Sequence, residues 1–183
     1  MKKITILLLI LTVSIVVFAG LRMKNSTAVN QQTNQETEDQ DNKAPNFTIT
    51  TIEGETITLS DYKDKVVIID FWDTWCPPCR RGIPDFIELY KEYKDSGFVM
   101  IGLAFGREGE EKVKEFANEY EINYPVAIAN RSLINSFGEI RSIPTAFLID
   151  QEGNIVNKYI GLRPKEIFEN DIKELLDIKT KEK

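Results

Sequence analysis

Apolar residues along this chain fall into three regimes. From Ile4 to Leu21 they run almost unbroken, interrupted by Thr5, Thr12, Ser14 and Gly20. From 25 to 44 (NSTAVNQQTNQETEDQDNKA) they all but vanish. From Pro45 onward they recur at the spacings of strands and helices. The first regime predicts a helix of about 27 Å, close to the hydrocarbon thickness of a bilayer. Lys2 and Lys3 precede it, and Arg22 and Lys24 follow it. Length and charged flanks favour an uncleaved anchor over residues 1–24; a secretory signal cleaved after Val17-Phe18-Ala19 is the competing reading. With the basic amino end on the cytoplasmic side, the body of a single-pass protein lies outside the cell membrane. Residues 25–44 can bury little and are expected to form a solvated tether reaching roughly 25 Å.

In the third regime, FTITT and ETITL alternate around Glu53-Gly54, which predicts a β-hairpin. Ser60 to Lys63 reads as a helical turn. VVIIDF (66–71) and Phe98 to Phe105 suit strands buried on both faces. Helical spacing begins near Pro77, with Ile83, Phe86, Ile87, Leu89 and Tyr90 inward and Lys91, Glu92 and Lys94 outward. Pro84 inside that helix predicts a kink. Residues 110–120 form a second amphipathic helix, with Val113, Phe116, Ala117 and Tyr120 on one face. VAIA after Pro125 reads as a strand and Ser132 to Phe137 as a short helix. TAFLID and IVNKYIG predict a hairpin bending at Gly153. Residues 165–178 predict a last helix with Ile167, Phe168, Ile172, Leu175 and Leu176 inward. This order predicts an α/β domain over 45–183, a mixed central sheet flanked by helices.

Composition narrows the function. Hydrophobic residues make up 42% of the chain, enough for a packed core. The formal charge is −6; the first 24 residues carry +4, which leaves −10 on the remainder and argues against nucleic-acid binding. The chain has no histidine, so a Cys–His dyad is impossible. Its two cysteines cannot close a typical four-ligand zinc site, and no metal is expected.

Both cysteines lie in DFWDTWCPPCRRG, residues 70–82, where a buried strand is predicted to give way to a helix. That junction presents unpaired N–H groups and the positive end of the helix dipole, which stabilise a thiolate at Cys76. Cys79, one turn on, is within bridging distance. Cys76 is expected to be the exposed, attacking sulfur and Cys79 the inner, resolving one, with Arg80 and Arg81 adding positive charge. A plain structural bridge is the alternative, but so short a loop constrains the unfolded chain little.

DFWDTWCPPC resembles the active-site segment of the thioredoxin superfamily, and Ser142-Ile143-Pro144-Thr145 resembles its cis-proline loop. Over residues 44 to about 178, including APNFTI, the chain is similar to TlpA/ResA-like thiol–disulfide oxidoreductases. The resemblance implies a thioredoxin-like fold with an amino-terminal hairpin and a helix–strand insertion. It makes Cys76 the nucleophile, Cys79 the resolving thiol and Pro144 a cis-proline facing them. The Ile143 backbone would offer an edge to extended substrate, with Trp75 and Pro77 beside it. Asp70 matches the buried carboxylate of thioredoxin, with its pKa raised by burial and a role in moving the Cys79 proton. No cofactor is implied beyond the redox disulfide. Protein disulfides are the implied substrates and a CcdA/DsbD-like membrane protein the electron donor, and the chain is expected to be a monomer.

Two features modify that picture. ResA-like proteins carry a glutamate three residues after the second cysteine, tied to apocytochrome c, whereas this chain has Gly82. Pro77 and Pro78 supply neither charge nor N–H to the thiolate. A potential nearer thioredoxin's (about −270 mV) than a strong oxidant's (about −120 mV) follows. A thiol peroxidase is the alternative enzyme, but its Thr-x-x-Cys arrangement is missing, since Thr74 stands two residues before Cys76. A redox-inert binding module using the Ile143 edge is the other alternative.

Overall fold

The computed structural model describes residues 42–138 and 140–177. The expected anchor, and the tether up to residue 41, lie outside the described residues. Among those described, no helix is long and apolar enough to cross a membrane. The described body begins before Pro45. Ile155 donates its N–H to the Asn42 carbonyl, and Ala44 donates to Gly153. Residues 42–44, expected in the tether, are therefore bonded to a β-turn of the domain.

The hairpin is β1 (Thr48–Thr50) with β2 (Thr56–Thr58), followed by a 3-10 turn at Leu59–Tyr62. Then come β3 (Val66–Trp72), α1 (Pro77–Tyr93), β4 (Phe98–Ala104), α2 (Glu110–Glu119) and β5 (Val126–Ile128). The chain continues through α3 (Arg131–Ser136), β6 (Thr145–Ile149), β7 (Ile155–Ile160) and α4 (Lys165–Leu175). The five-stranded sheet has the order β5-β4-β3-β6-β7. Strands β3, β4 and β5 are parallel, while β6 and β7 run antiparallel to their neighbours, so the sheet is mixed as expected.

Central strand β3 is buried along its whole length because both of its faces are covered. Val66, Ile68 and Trp72 share a core with Ile83, Phe86 and Leu89 of α1, Phe116 of α2 and Phe168 and Ile172 of α4. Val67, Ile69 and Phe71 share the other core with Ile57 and Leu59 of the hairpin region and Leu133 of α3. The hairpin is tied to the sheet at β5, where Ile52 N–H donates to Val126 O at 2.8 Å.

One expectation needs correction. Ile167 was expected inward but is 41% exposed, because Phe168 and Ile172, four residues apart, define the buried face of α4. Helix α1 is a single element that continues through Pro84, an exposed residue.

Candidate active site

β3 delivers the chain through Asp73, Thr74 and Trp75 straight into α1, and Cys76 is the N-cap of that helix. Pro77 and Pro78 occupy its first positions, so the first backbone donor available to the sulfur belongs to Cys79. That N–H lies 3.3 Å from Cys76 Sγ. Cys76 and Cys79 form a disulfide with their Cα atoms 5.3 Å apart.

The bond between Ile143 and Pro144 is cis. This loop is held to β7, where Gly161 N–H donates to Pro144 O at 2.8 Å, and it sets the Ile143 carbonyl oxygen 3.7 Å from Cys76 Sγ. Cys76 is consequently 2% exposed in this oxidised state, not the open sulfur that its place in the sequence suggests. Approach to it is through a hollow of about 310 Å³, bordered by Trp75, Pro77, Arg107 and Ile143. Trp75, 44% exposed, forms the expected apolar rim, while Trp72 is buried.

Cys79 borders the other side of the pair. It lines a narrow crevice of about 10 Å³ with Asp70, Gly82, Pro144 and Leu162, room for one water at most. Asp70 lies on the helix-bearing face of β3 and is 2% exposed, and its Oδ1 has no hydrogen-bond partner. Burial disfavours the charged form and pushes its carboxyl up to about 8. Nearby Tyr124 has its phenol raised by burial first and by the Asp70 charge second. A Cβ on Gly82 would stand 3.1 Å from Leu162 Cδ1. Where the resembled proteins carry a glutamate, this chain has Gly82 with Leu162 against it, while Asp85 and Arg163 line the same crevice.

Sequence reasoning missed the group that holds the active-site loop. Asp73 is fully buried. Its Oδ1 accepts from Thr74 N–H at 2.9 Å, and its Oδ2 accepts from Trp75 Nε1 at 2.8 Å and from Arg107 N–H at 3.3 Å. The Arg107 guanidinium lies 5.0 Å from the centre of the Trp75 ring. Thr74 donates its hydroxyl to Glu108 Oε2 at 2.5 Å. An acid just before a helix start is the available signal, and it reads equally well as a solvated turn residue. Arg80, expected to add charge near the sulfurs, holds its side chain against α2 and the residue after it. Its Nε donates to Tyr120 Oη at 3.0 Å, and its guanidinium lies over the Phe116 and Tyr120 rings. Among the described residues no cluster of three or more potential ligands forms a metal site.

A family model described as the AhpC/TSA family matches residues 41–158. Thiol-disulfide oxidoreductase ResA of Bacillus anthracis is 41% identical over 134 residues, 73% of this chain and 76% of that protein. Thioredoxin-like protein YneN of Bacillus subtilis is 34% identical, over 71% of this chain and 76% of its own length. Among solved structures, a thiol:disulfide interchange protein of Chlorobium tepidum TLS has a TM-score of 0.70 at 36% identity, covering 74% of this chain and 96% of its own. StoA of Bacillus subtilis has a TM-score of 0.61 at 26% identity, covering 69% and 95%.

Proposed function

This chain belongs to the AhpC/TSA family and is a thiol–disulfide oxidoreductase of the ResA type, and from that premise we propose that it reduces disulfides of exported proteins from the outer face of the cell membrane. The observation that carries the reading is the Cys76–Cys79 disulfide set at a helix start opposite the Ile143 carbonyl and cis-Pro144.

The reaction begins from the dithiol. Cys76 thiolate attacks one sulfur of a substrate disulfide, the substrate S–S bond breaks, and the leaving thiolate takes a proton from water. The Ile143 edge orients the extended substrate segment as a short strand. Cys79 passes its proton to the Asp70 carboxylate and attacks Cys76 Sγ. The mixed disulfide breaks, the second substrate thiolate departs, and the Cys76–Cys79 bond forms. Two electrons have moved from protein to substrate. A membrane dithiol of the CcdA/DsbD kind returns them. In the oxidised state Asp70, its carboxyl titrating at about 8, holds its proton at neutral pH. When the membrane dithiol attacks Cys76 and Cys79 leaves, Asp70 gives Cys79 that proton and becomes the carboxylate that takes it back when Cys79 next attacks.

The substrate reading is exported disulfide proteins in general. Apocytochrome c is not favoured, because position 82 bears no carboxylate and is covered by Leu162. The peroxidase alternative lacks its threonine, and the Thr74 hydroxyl is directed to Glu108. In cells expressing the full chain, Cys79→Ser should accumulate partner proteins as mixed disulfides on Cys76, released by reductant. No trapped partner, with peroxide turnover by the wild-type chain, would reverse the assignment.

A further inference from the structure

We propose that the hollow beside Cys76 selects substrate segments carrying a carboxylate next to the cysteine under attack, and that Arg107 is the residue that reads it. This rests on the reductase reading and names the substrate chemistry that the same site takes.

Charge is the first observation. The chain beyond residue 24 carries −10, so an average stretch of its surface repels an acidic segment. The hollow departs from that average. Among the described residues lining it there is no carboxylate, and Arg107 is the charged side chain proposed to act, Arg141 being engaged in an interaction of its own. Glu108, next in sequence to Arg107, does not line the hollow; its carboxylate takes the Thr74 hydroxyl.

The second observation is that Arg107 is built into a wall. Its backbone N–H and the Trp75 indole N–H both donate to the same buried oxygen, Asp73 Oδ2. Its guanidinium then lies 5.0 Å from the centre of the Trp75 ring. A guanidinium held over a ring is fixed through its face, and the part left to meet a ligand is its N–H edge. That edge matches a carboxylate with two parallel hydrogen bonds, which a lysine ammonium cannot reproduce. Asp73 fixes the indole and the Arg107 backbone from which the guanidinium extends, which lowers the ordering cost of binding.

The third observation is placement. Arg107 and Trp75, in contact through the ring, line the same hollow as Ile143, the proposed strand-like edge, whose carbonyl oxygen lies 3.7 Å from Cys76 Sγ. A segment extended along Ile143 places the side chains flanking its cysteine toward the hollow's walls, within reach of the stacked guanidinium.

The test uses reduced full-length protein and two extended peptides. Each carries one cysteine in a disulfide with mercaptoethanol, and they differ in having Asp or Lys on both sides of that cysteine. The Asp peptide should be reduced on the order of tenfold faster at low salt, the factor expected of one charge-assisted contact. The ratio should fall toward one at about 1 M salt, where charges are screened within about 3 Å. Arg107→Gln should abolish the ratio, and Arg107→Lys should restore part of it. Equal or inverted rates in the wild type, or a ratio untouched by Arg107→Gln, would overturn the inference while leaving the reductase reading intact. Reduction of neither peptide would overturn both.

Discussion

Asp70 places a carboxyl where water barely reaches, and the consequence extends to stability as well as proton transfer. Folding raises this group from the ordinary carboxylate range to about 8, so the folded chain holds the proton more tightly than the unfolded one. Stability from this group is therefore full below about pH 4 and is lost as pH rises to about 8. For the oxidised protein, Asp70→Asn should remove that loss. Relative to wild type, the variant should gain on the order of 2–4 kcal/mol between pH 5 and pH 8 in urea unfolding. Parallel pH profiles would show that Asp70 ionises freely. The residues that carry the chemistry were legible because two cysteines and a strand aspartate six positions earlier have few other uses in this context. Asp73 was not legible. Its importance comes from Trp75 and Arg107 folding back onto it, and the second of these lies on a different loop.

Elements set which substitutions the site tolerates, and two glycines show this with opposite signs. Gly82 sits within α1, where glycine costs about 1 kcal/mol relative to alanine. The atom nearest its missing Cβ is the tip of Leu162, a side chain 38% exposed and able to shift. Gly102 lies in β4 opposite Asp70, and its missing Cβ would meet Trp72 Nε1 at 3.0 Å and Tyr124 Cε2 at 3.2 Å. Both of those rings are buried and cannot retreat. Gly82→Ala should therefore stabilise by about 0.5–1 kcal/mol, and Gly102→Ala should destabilise by about 1–3 kcal/mol. Thermal unfolding of the two variants reads the contrast, and a shift of the same sign in both would contradict it. At this scale the hydrophobic periodicity placed each strand and helix within a residue or a few. It failed at Ile167, where the first turn of α4 offers more apolar residues than its buried stripe can hold.

At the scale of the whole molecule, the redox pair is assembled from segments far apart in the chain. The α1 start brings the sulfurs, β3 brings Asp70, and the cis-Pro144 loop brings a carbonyl to within 3.7 Å of Cys76 Sγ. The position of Cys76 at a helix start suggests an open sulfur; the resemblance of residues 142–145 to a cis-proline loop placed that loop opposite the pair, but not how far it covers Cys76. The same geometry bears on electron flow. Pro77 and Pro78 withhold two N–H groups, the Cys79 N–H remains at 3.3 Å, and the Ile143 carbonyl faces the sulfur with its negative end. A thiolate so sparsely supported favours the disulfide, and a protein that favours its own disulfide is a reductant. Equilibration of the full-length protein with a glutathione redox series, followed by alkylation of the free thiols, measures this directly. The Cys76–Cys79 couple should exchange readily and settle near −270 mV. A couple that fails to exchange, or that settles near −120 mV, would contradict the account.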